Sequence, residues 1–160
     1  MKKLLLVRHA KAVHDDSYND FERPLKHSGM RDTTIMAERI ESASHVPELL
    51  IASPSLRTLA TANILSEHLQ LPRPSEDEKI YDASQQTLLN VISGFSDDHH
   101  FIGLVGHNPG ISHLVHYFTG QIRDVPPGAV ILITFEFDEW QQLTYDSGKL
   151  AWFSSPKEDH

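Results

Sequence analysis

The sequence has no cysteine among its 160 residues. Disulfide bonds, thiol catalysis and cysteine-ligated zinc are therefore excluded, and this composition fits a reducing compartment. No apolar run approaches the length that spans a bilayer. The run Leu4–Val7 near the start is too short for a targeting segment and is followed at once by Arg8 and His9. We therefore expect a cytoplasmic protein that does not contact membranes.

Positive charge is also scarce, because 14 Lys and Arg face 22 Asp and Glu, for a formal net charge of −8. This balance argues against broad contact with nucleic-acid backbones. It does not exclude a small anion site, since a local cluster of basic side chains can oppose the overall field. A hydrophobic content of 39% over this length predicts one globular domain spanning residues 1–160.

Short apolar runs alternate with helical patterns along the chain. Strands are predicted at Leu4–Val7, Leu49–Ser53, Lys79–Tyr81 and Phe101–Val105. Helices are predicted over Lys26–Ser42 with Met30, Ile35, Met36 and Ile40 as the apolar positions, over Ser55–Leu69 with Leu56, Leu59, Ala60, Ile64 and Leu65, over Leu88–Phe95, and over Ile111–Phe118. The last part, with Ala129–Phe137, Trp140–Tyr145 and Lys149–Phe153, is typical of an antiparallel meander. We therefore expect a three-layer α/β/α fold, with a mostly parallel central sheet and antiparallel strands from the C-terminal part.

Charged and polar residues follow three of the predicted strands. Arg8 and His9 end the first strand, Ser53 ends the second with Arg57 in the next helical turn, and Gly106-His107-Asn108 ends the fourth. Ligands of open α/β sheets bind at the carboxyl ends of parallel strands, so neighbouring strands would bring these side chains together. Two guanidinium groups can hold phosphoryl oxygens through charge-assisted hydrogen bonds. The pattern therefore favours an anion site that contains two histidines.

These motifs resemble those of the histidine phosphatase superfamily, which is also called phosphoglycerate mutase-like. The matching segments are Arg8-His9, Ser53–Ala62 and Gly106-His107-Asn108-Pro109. The form Arg8–Ala12, and Glu22-Arg23-Pro24-Leu25 followed by Gly29, is similar to the compact SixA-type phosphohistidine phosphatases. The resemblance covers nearly the whole chain in element order and implies a phosphoglycerate mutase-like fold.

The resemblance implies that His9 is a nucleophile that forms a phosphohistidine intermediate. It implies that Arg8, Arg57 and His107 bind the phosphoryl group and stabilise its transition-state charge, without a metal or another cofactor. This agrees with the chemistry of phosphoryl transfer, which depends mainly on positioning and electrostatic stabilisation. We also expect a fixed acceptor, a backbone carbonyl, to set the His9 tautomer. Phosphate or sulfate is expected to bind in such a site.

Two further residues are candidate substrate contacts. Arg23 is suited to reach the phosphate or a substrate carboxylate, with a loop salt bridge as the equal alternative. Asn108 is suited to bind the phosphate or, equally, to cap the helix that follows. Ser53 is expected to satisfy local backbone rather than the phosphoryl group. His113 and His116 lie three apart on a predicted helix, but eleven histidines make such spacings common, and no metal site is predicted.

No general acid for the leaving group is obvious in the sequence. Asp82 is the nearest candidate by position, and Glu22 and Asp20 are others on the loop after the first strand. An oxygen ester leaves poorly unless it is protonated, and a positioned acid contributes roughly 10²–10⁴-fold. A phosphoramidate has a better leaving group and can react without this help.

The expected function is therefore a phosphatase that acts on phosphohistidine of a protein. A phosphatase of small phosphomonoesters or nucleotides is one alternative, and its mark would be Asp82 or Glu22 within reach of the leaving group. A non-catalytic phosphate- or phosphoprotein-binding module is an alternative of another class, and its mark would be a blocked or misoriented His9.

Overall fold

The carboxyl ends of four parallel strands meet at one edge of a six-stranded sheet in the computed structural model, which describes residues 1–157. The strands are β1 (Lys2–Arg8), β2 (Leu49–Ala52), β3 (Ser75–Glu76), β4 (Phe101–Gly106), β5 (Val130–Phe135) and β6 (Gly148–Ser154). Their order is β3-β2-β4-β1-β5-β6. The first four are parallel, while β5 is antiparallel to β1 and β6 is antiparallel to β5.

Helices cover both faces of this sheet. They are α1 (His27–Ser42), α2 (Leu56–Leu69), α3 (Gln85–Ser93) and α4 (Gly110–Thr119). Apolar residues of α1 and α2 join one hydrophobic cluster, and those of α3 and α4 join another on the opposite face. The predicted α/β class is therefore confirmed, including the antiparallel strands from the C-terminal part. No helix within residues 1–157 combines the length and the apolar character needed to cross a membrane.

Strand β1 lies between the two clusters, and this explains its continuous apolar run. Leu4 and Leu6 pack into the α3 and α4 cluster, whereas Leu5 and Val7 pack into the α1 and α2 cluster. A strand that is buried on both faces has no polar face and therefore no polar alternation. This burial fixes the position at which Arg8 and His9 leave the sheet.

The predicted apolar faces of the helices are confirmed to different degrees. On α4 the four expected positions, Ile111, Leu114, Val115 and Phe118, are all fully buried. On α1 the prediction holds for Met36 and Ile40 but is wrong for two other residues. Met30 and Ile35 are exposed, because α1 turns Gly29 and Thr33 inward instead.

The predicted apolar face of α2 is wrong at its start. Leu56 is 45% exposed, while Arg57, Thr58 and Thr61 are buried. The backbone N–H of Ala10 donates to Thr61 Oγ1 at 3.1 Å, so this side of α2 faces the loop after β1. Hydrogen bonding to that loop therefore acts together with the burial of Leu65 and Leu69 in orienting the helix.

Two predicted strands are wrong. The predicted strand Lys79–Tyr81 overlaps a short 3-10 helix, Glu78–Ile80, and the edge strand comes earlier, at Ser75–Glu76. Trp140–Tyr145 likewise begins with a 3-10 helix, Trp140–Gln142, and the predicted meander is a single β5–β6 hairpin. Trp140 is fully buried and its indole donates to the carbonyl of His99 at 3.0 Å. Trp140 is therefore a core residue of a 3-10 helix and does not lie on the face of a strand.

The close packing of Gly29 gives a test of how α1 is attached to the loop after β1. A methyl group at Gly29 would collide with the backbone carbonyl of Lys11, and a backbone atom cannot move aside cheaply. We therefore expect Gly29→Ala to destabilise the fold by about 1–3 kcal/mol. Urea denaturation measures this free energy of unfolding.

Gly94→Ala is the matched control, because Gly94 ends α3 with φ −89° and the nearest atom to an added methyl lies at 3.4 Å. We expect this control to change stability by less than about 1 kcal/mol. Equal effects of the two substitutions would contradict the tight packing of Gly29.

Candidate active site

Strands β2, β4 and β1 are neighbours, so their carboxyl ends open into one cavity. Arg8 is in register with Gly106, and Ala52 with Val105. The cavity has a volume of about 640 Å³. It is lined by Arg8, His9, Lys11, Ala12, His14, Asp20, Arg23, Lys26, Arg57, Tyr81, Asp82, His107, Asn108 and Pro127. The structure therefore brings together the four principal candidates, Arg8, His9, Arg57 and His107.

His9 is held in one orientation by its own backbone neighbour. Its Nδ1 lies 2.8 Å from the carbonyl oxygen of Ala10, which can only accept, so Nδ1 carries the proton. This confirms the expected backbone acceptor. The other nitrogen, Nε2, accepts a hydrogen bond from Arg57 Nε at 3.4 Å. The lone pair of Nε2 is therefore directed toward the guanidinium of Arg57, which lines the same cavity.

Burial also keeps His9 neutral. Its side chain is 8% exposed. The loss of hydration lowers the pKa of His9 to about 3, and the positive charges of Arg57 and Arg8 act in the same direction. A neutral imidazole with a free lone pair is the form that a nitrogen nucleophile requires.

Arg57 connects the two histidines to the loop after β1. Its Nη1 donates to the backbone carbonyl of Asp20 at 2.6 Å, and its Nη2 donates to Asp20 Oδ2 at 3.1 Å. Arg57 Nε lies 3.4 Å from His9 Nε2, and Arg57 Nη2 lies 3.4 Å from His107 Nδ1. Asp20 thus holds the end of the guanidinium, while the Nε side faces the space between the two histidines.

His107 is anchored from behind by Ser53. Its Nε2 lies 2.9 Å from Ser53 Oγ, and Ser53 is fully buried. A hydroxyl can donate or accept, so His107 can present Nδ1 as an acceptor to Arg57 or as a donor to an anion. Burial lowers the pKa of His107 to about 4, with Arg57 acting in the same direction. Ser53 Oγ also accepts from the backbone N–H of Ser55 at 3.4 Å, so the expected local contact is present together with the contact to His107.

Arg8 keeps part of its guanidinium free for a ligand. Its Nη1 donates to the carbonyl of Val125 at 2.8 Å. Its buried Nε has no hydrogen-bond partner within residues 1–157. A buried donor without a partner is costly, and an anion in the cavity would satisfy it.

The side chains of Asn108 and Arg23 line the cavity but are used by the protein itself. Asn108 Nδ2 donates to Val125, and its Oδ1 accepts from the backbone N–H and hydroxyl of Ser112. This is the helix cap that was the alternative for Asn108. Arg23 donates from Nε to the Val13 carbonyl and from Nη1 to Asp20 Oδ1, and its Nη2 lies 3.1 Å from His14 Nε2.

The three candidate acids differ in position and charge. Asp82 is exposed and lines the cavity, whereas Glu22 does not line it and its carboxylate accepts from Asn19. Asp20 accepts a hydrogen bond from the Tyr81 hydroxyl, which together with Arg57 lowers the pKa of Asp20 to about 2. Asp20 is therefore ionised near neutral pH and cannot serve as a proton donor there. Asp20 and Asp82 both line the cavity, so Asp82 is the candidate acid that remains there.

Several site residues have no single-residue signal in the sequence. Tyr81 packs edge-to-face against the ring of His107 at 5.5 Å between centroids, although its segment is predicted as a strand. Lys11, His14 and Lys26 also line the cavity. For Lys11, the sequence signal for a place in the site is its position just after the Arg8-His9 motif. Within residues 1–157, no group of three His, Asp or Glu side chains has a geometry that could hold a metal ion.

The model of the histidine phosphatase superfamily (branch 1) matches residues 4–84, just over half of the chain. The chain therefore belongs to the histidine phosphatase superfamily. The matched region contains Arg8, His9 and Arg57. Membership of this superfamily supports phosphatase activity. An uncharacterised chloroplastic protein of Arabidopsis thaliana is 26% identical over 163 residues, covering 94% of this chain and 74% of the relative.

Solved structures show the same fold at low sequence identity. The SixA protein of Agrobacterium tumefaciens superposes with a TM-score of 0.83 at 21% identity, covering 97% of this chain and 98% of that one. The protein histidine phosphatase SixA in complex with tungstate gives 0.83 at 19% identity, covering 96% and 97%. A mycobacterial glucosyl-3-phosphoglycerate phosphatase with inorganic phosphate gives 0.67 at 14% identity, covering 99% and 100%. The fold is therefore SixA-like and phosphoglycerate mutase-like.

The anchoring of His107 by Ser53 can be tested by removing one hydroxyl. We expect Ser53→Ala to weaken the binding of inorganic phosphate about three- to tenfold, the usual range for one neutral hydrogen bond. Titration calorimetry measures this affinity, and the ¹⁵N shifts of the His107 ring report whether its hydrogen bond is lost.

Ser66→Ala is the matched control, because the buried Ser66 lies on α2 and donates to the carbonyl of Asn63. It should leave both readings unchanged. Unaltered ring shifts in Ser53→Ala would refute the anchoring role.

The low pKa of His9 predicts its behaviour in a titration. Because the folded-state pKa is lowered to about 3, His9 stays neutral when the pH falls from about 8 to about 5, so its lone pair remains available. Two-dimensional NMR of the imidazole carbons should show no His9 transition in this range, and the same holds for His107. A His9 midpoint near about 6.5 would contradict the burial of this ring.

Proposed function

We propose that this protein is a metal-independent phosphatase that hydrolyses phosphohistidine on a protein, through a phosphorylated His9. The observation that carries the proposal is the orientation of His9. Its Nδ1 proton is fixed on the Ala10 carbonyl, and its Nε2 lone pair faces the space beside Arg57 and His107. That is the geometry for in-line attack on a phosphorus atom bound between these groups.

In the first step, His9 Nε2 forms a bond to phosphorus while the bond between phosphorus and the substrate nitrogen breaks. The electron pair of that bond leaves with the substrate imidazole, which is neutral when its other nitrogen carries a proton. Arg8, Arg57 and His107 stabilise the charge on the phosphoryl oxygens, and each such donor is commonly worth about 10²–10³ in rate. In the second step, a water oxygen forms a bond to phosphorus while the bond between phosphorus and His9 Nε2 breaks. The electron pair returns to Nε2, and the protons of the water leave with the product as dihydrogen phosphate.

The acid–base properties of the cavity support phosphohistidine over oxygen esters. Asp20 is the carboxylate nearest to Arg57, at 3.1 Å, and its pKa of about 2 removes it as an acid. An imidazole leaving group needs no acid from the protein, whereas an alkoxide does. The likeness to the SixA fold is consistent with this choice of substrate.

The second candidate, a phosphatase of small phosphomonoesters or nucleotides, rests on Asp82. This residue lines the cavity and is exposed. The third candidate, a non-catalytic binding module, would require a blocked or misoriented His9. His9 lines the cavity, and its Nε2 is engaged only by a 3.4 Å hydrogen bond from Arg57 Nε, a donor that a bound phosphoryl group would compete for.

The test compares wild type with His9→Ala on a phosphohistidine peptide and on a panel of phosphomonoesters. We expect wild type to prefer the peptide and His9→Ala to lose about 10³-fold or more in kcat, because no other group replaces the nucleophile. Acid-labile ³²P on the protein after a rapid quench should disappear in the variant. The matched control, His68→Ala, changes an exposed histidine of α2 and should retain full activity.

Each failure of this test has a distinct meaning. Undiminished turnover by His9→Ala would refute the nucleophile. A preference of wild type for esters, with a loss of about 10²–10⁴-fold in Asp82→Asn on esters alone, would establish the second candidate instead. Binding of phosphate without turnover of any substrate would establish the binding module.

A further inference from the structure

The cavity extends well beyond the four residues at the strand ends. A volume of about 640 Å³ is in the range of sites for whole small molecules and is far more than one phosphoryl group fills. Five cationic side chains line it, against the two carboxylates of Asp20 and Asp82. This excess of positive charge is unusual in a chain with a net charge of −8. Three of the five cations take no part in the proposed phosphoryl transfer. Arg23 is bonded to Val13 and Asp20, which leaves Lys11 and Lys26.

Lys11 and Lys26 are directly opposite one another on two short antiparallel segments. Ala12 pairs with Leu25 in an antiparallel bridge. The N–H of Lys26 donates to the carbonyl of Lys11 at 2.9 Å, and the N–H of Val13 donates to Pro24, also at 2.9 Å. Both lysines line the cavity. The packing of Gly29 against the Lys11 carbonyl holds this arrangement in place.

Like charges directly opposite each other destabilise an antiparallel pair. Of the two lysines, Lys11 alone has an ion pair within residues 1–157. Its Nζ lies 3.6 Å from Asp32 Oδ2, and its side chain is 49% exposed. Lys26 has no ion pair with any residue of 1–157, and Arg23 beside it is already bonded to Val13 and Asp20. An anion between the two ammonium groups would relieve the repulsion.

We propose that Lys11 and Lys26 form a second anion subsite, which binds a carboxylate or phosphate group of the substrate next to its reacting phosphoryl group. The inference deepens the proposed function, since the phosphoryl group of the same substrate occupies the His9 side of the cavity. The second anion belongs either to a small phosphorylated molecule or to an acidic side chain beside the phosphohistidine of a protein. In both cases the recognised chemistry is a phosphoryl group with a neighbouring negative charge.

The test uses two esters that differ by one carboxylate, ethyl phosphate and phosphoglycolate, with binding measured by calorimetry at fixed ionic strength. We expect wild type to bind phosphoglycolate about tenfold more tightly, as charge-assisted contacts allow. The double substitution Lys11→Gln and Lys26→Gln should abolish this ratio and weaken ethyl phosphate by no more than about twofold. A second arm measures the binding of two phosphohistidine peptides, one with Glu and one with Gln beside the phosphohistidine.

Lys149→Gln is the matched control, since Lys149 is exposed on β6 and does not line the cavity. It should keep the wild-type ratio, and thermal melts verify that all variants fold. A discrimination seen with phosphoglycolate assigns the second anion to a small molecule, and one seen only with the Glu peptide assigns it to a protein. The subsite would be overturned if the double variant kept the wild-type affinity ratio in both arms. It would also be overturned if the double variant lost affinity equally for phosphoglycolate and ethyl phosphate, and equally for the Glu and Gln peptides. Because binding is measured, failure of turnover would refute the proposed function and leave this result intact.

Discussion

The buried guanidinium of Arg57 is the group on which the arrangement of the cavity depends. It is 6% exposed and lies near two histidines, the Asp20 carboxylate and the start of α2. A charge taken out of water at this depth is stable only if its donors are used, and Asp20 uses two of them. The same contact fixes the loop after β1 over the cavity. The polar inner face of α2, with Thr58 and Thr61, follows from this need to place Arg57 at the ends of the parallel strands.

The electrostatic consequence is a cavity that is positive although its histidines are neutral. Burial and the guanidinium charges lower the pKa of His9 to about 3 and that of His107 to about 4. The ionised Asp20 offsets part of the positive charge and is held by the Tyr81 hydroxyl. The proposed phosphoryl transfer requires fixed donors rather than mobile water, which is the condition for strong electrostatic stabilisation. Lys11 and Lys26, which also line the cavity, add to the same positive field.

Much of this site could be predicted because its principal residues stand at strand ends, where a buried apolar run gives way to charge. Arg8, His9, Arg57 and His107 carry that signal, and the parallel order β2-β4-β1 brings them together. The uses of Asn108, Arg23 and Ser53 could not be predicted, because each side chain has both a local and a site partner available. The partner of each side chain depends on the fold, which places Val125 beside Asn108, Val13 beside Arg23 and His107 beside Ser53. The strand predicted at Trp140–Tyr145 is wrong for a related reason. A buried indole in a 3-10 helix gives the same apolar signal in the sequence as a residue on the buried face of a strand.

The sequence by itself determined the α/β class, the run of β1 that is buried on both faces, the inner face of α4 and the residues at three strand ends. These are local properties, since they depend on periodicity and on residue type. Only the tertiary structure decided the rotation of α2, the hydrogen bonds that orient His9 and His107, the ionised state of Asp20 and the opposition of Lys11 and Lys26. Those features are set by contacts between residues that are distant in the chain, and by the burial that removes water from them. Both are properties of the packed molecule that no short segment of the sequence carries.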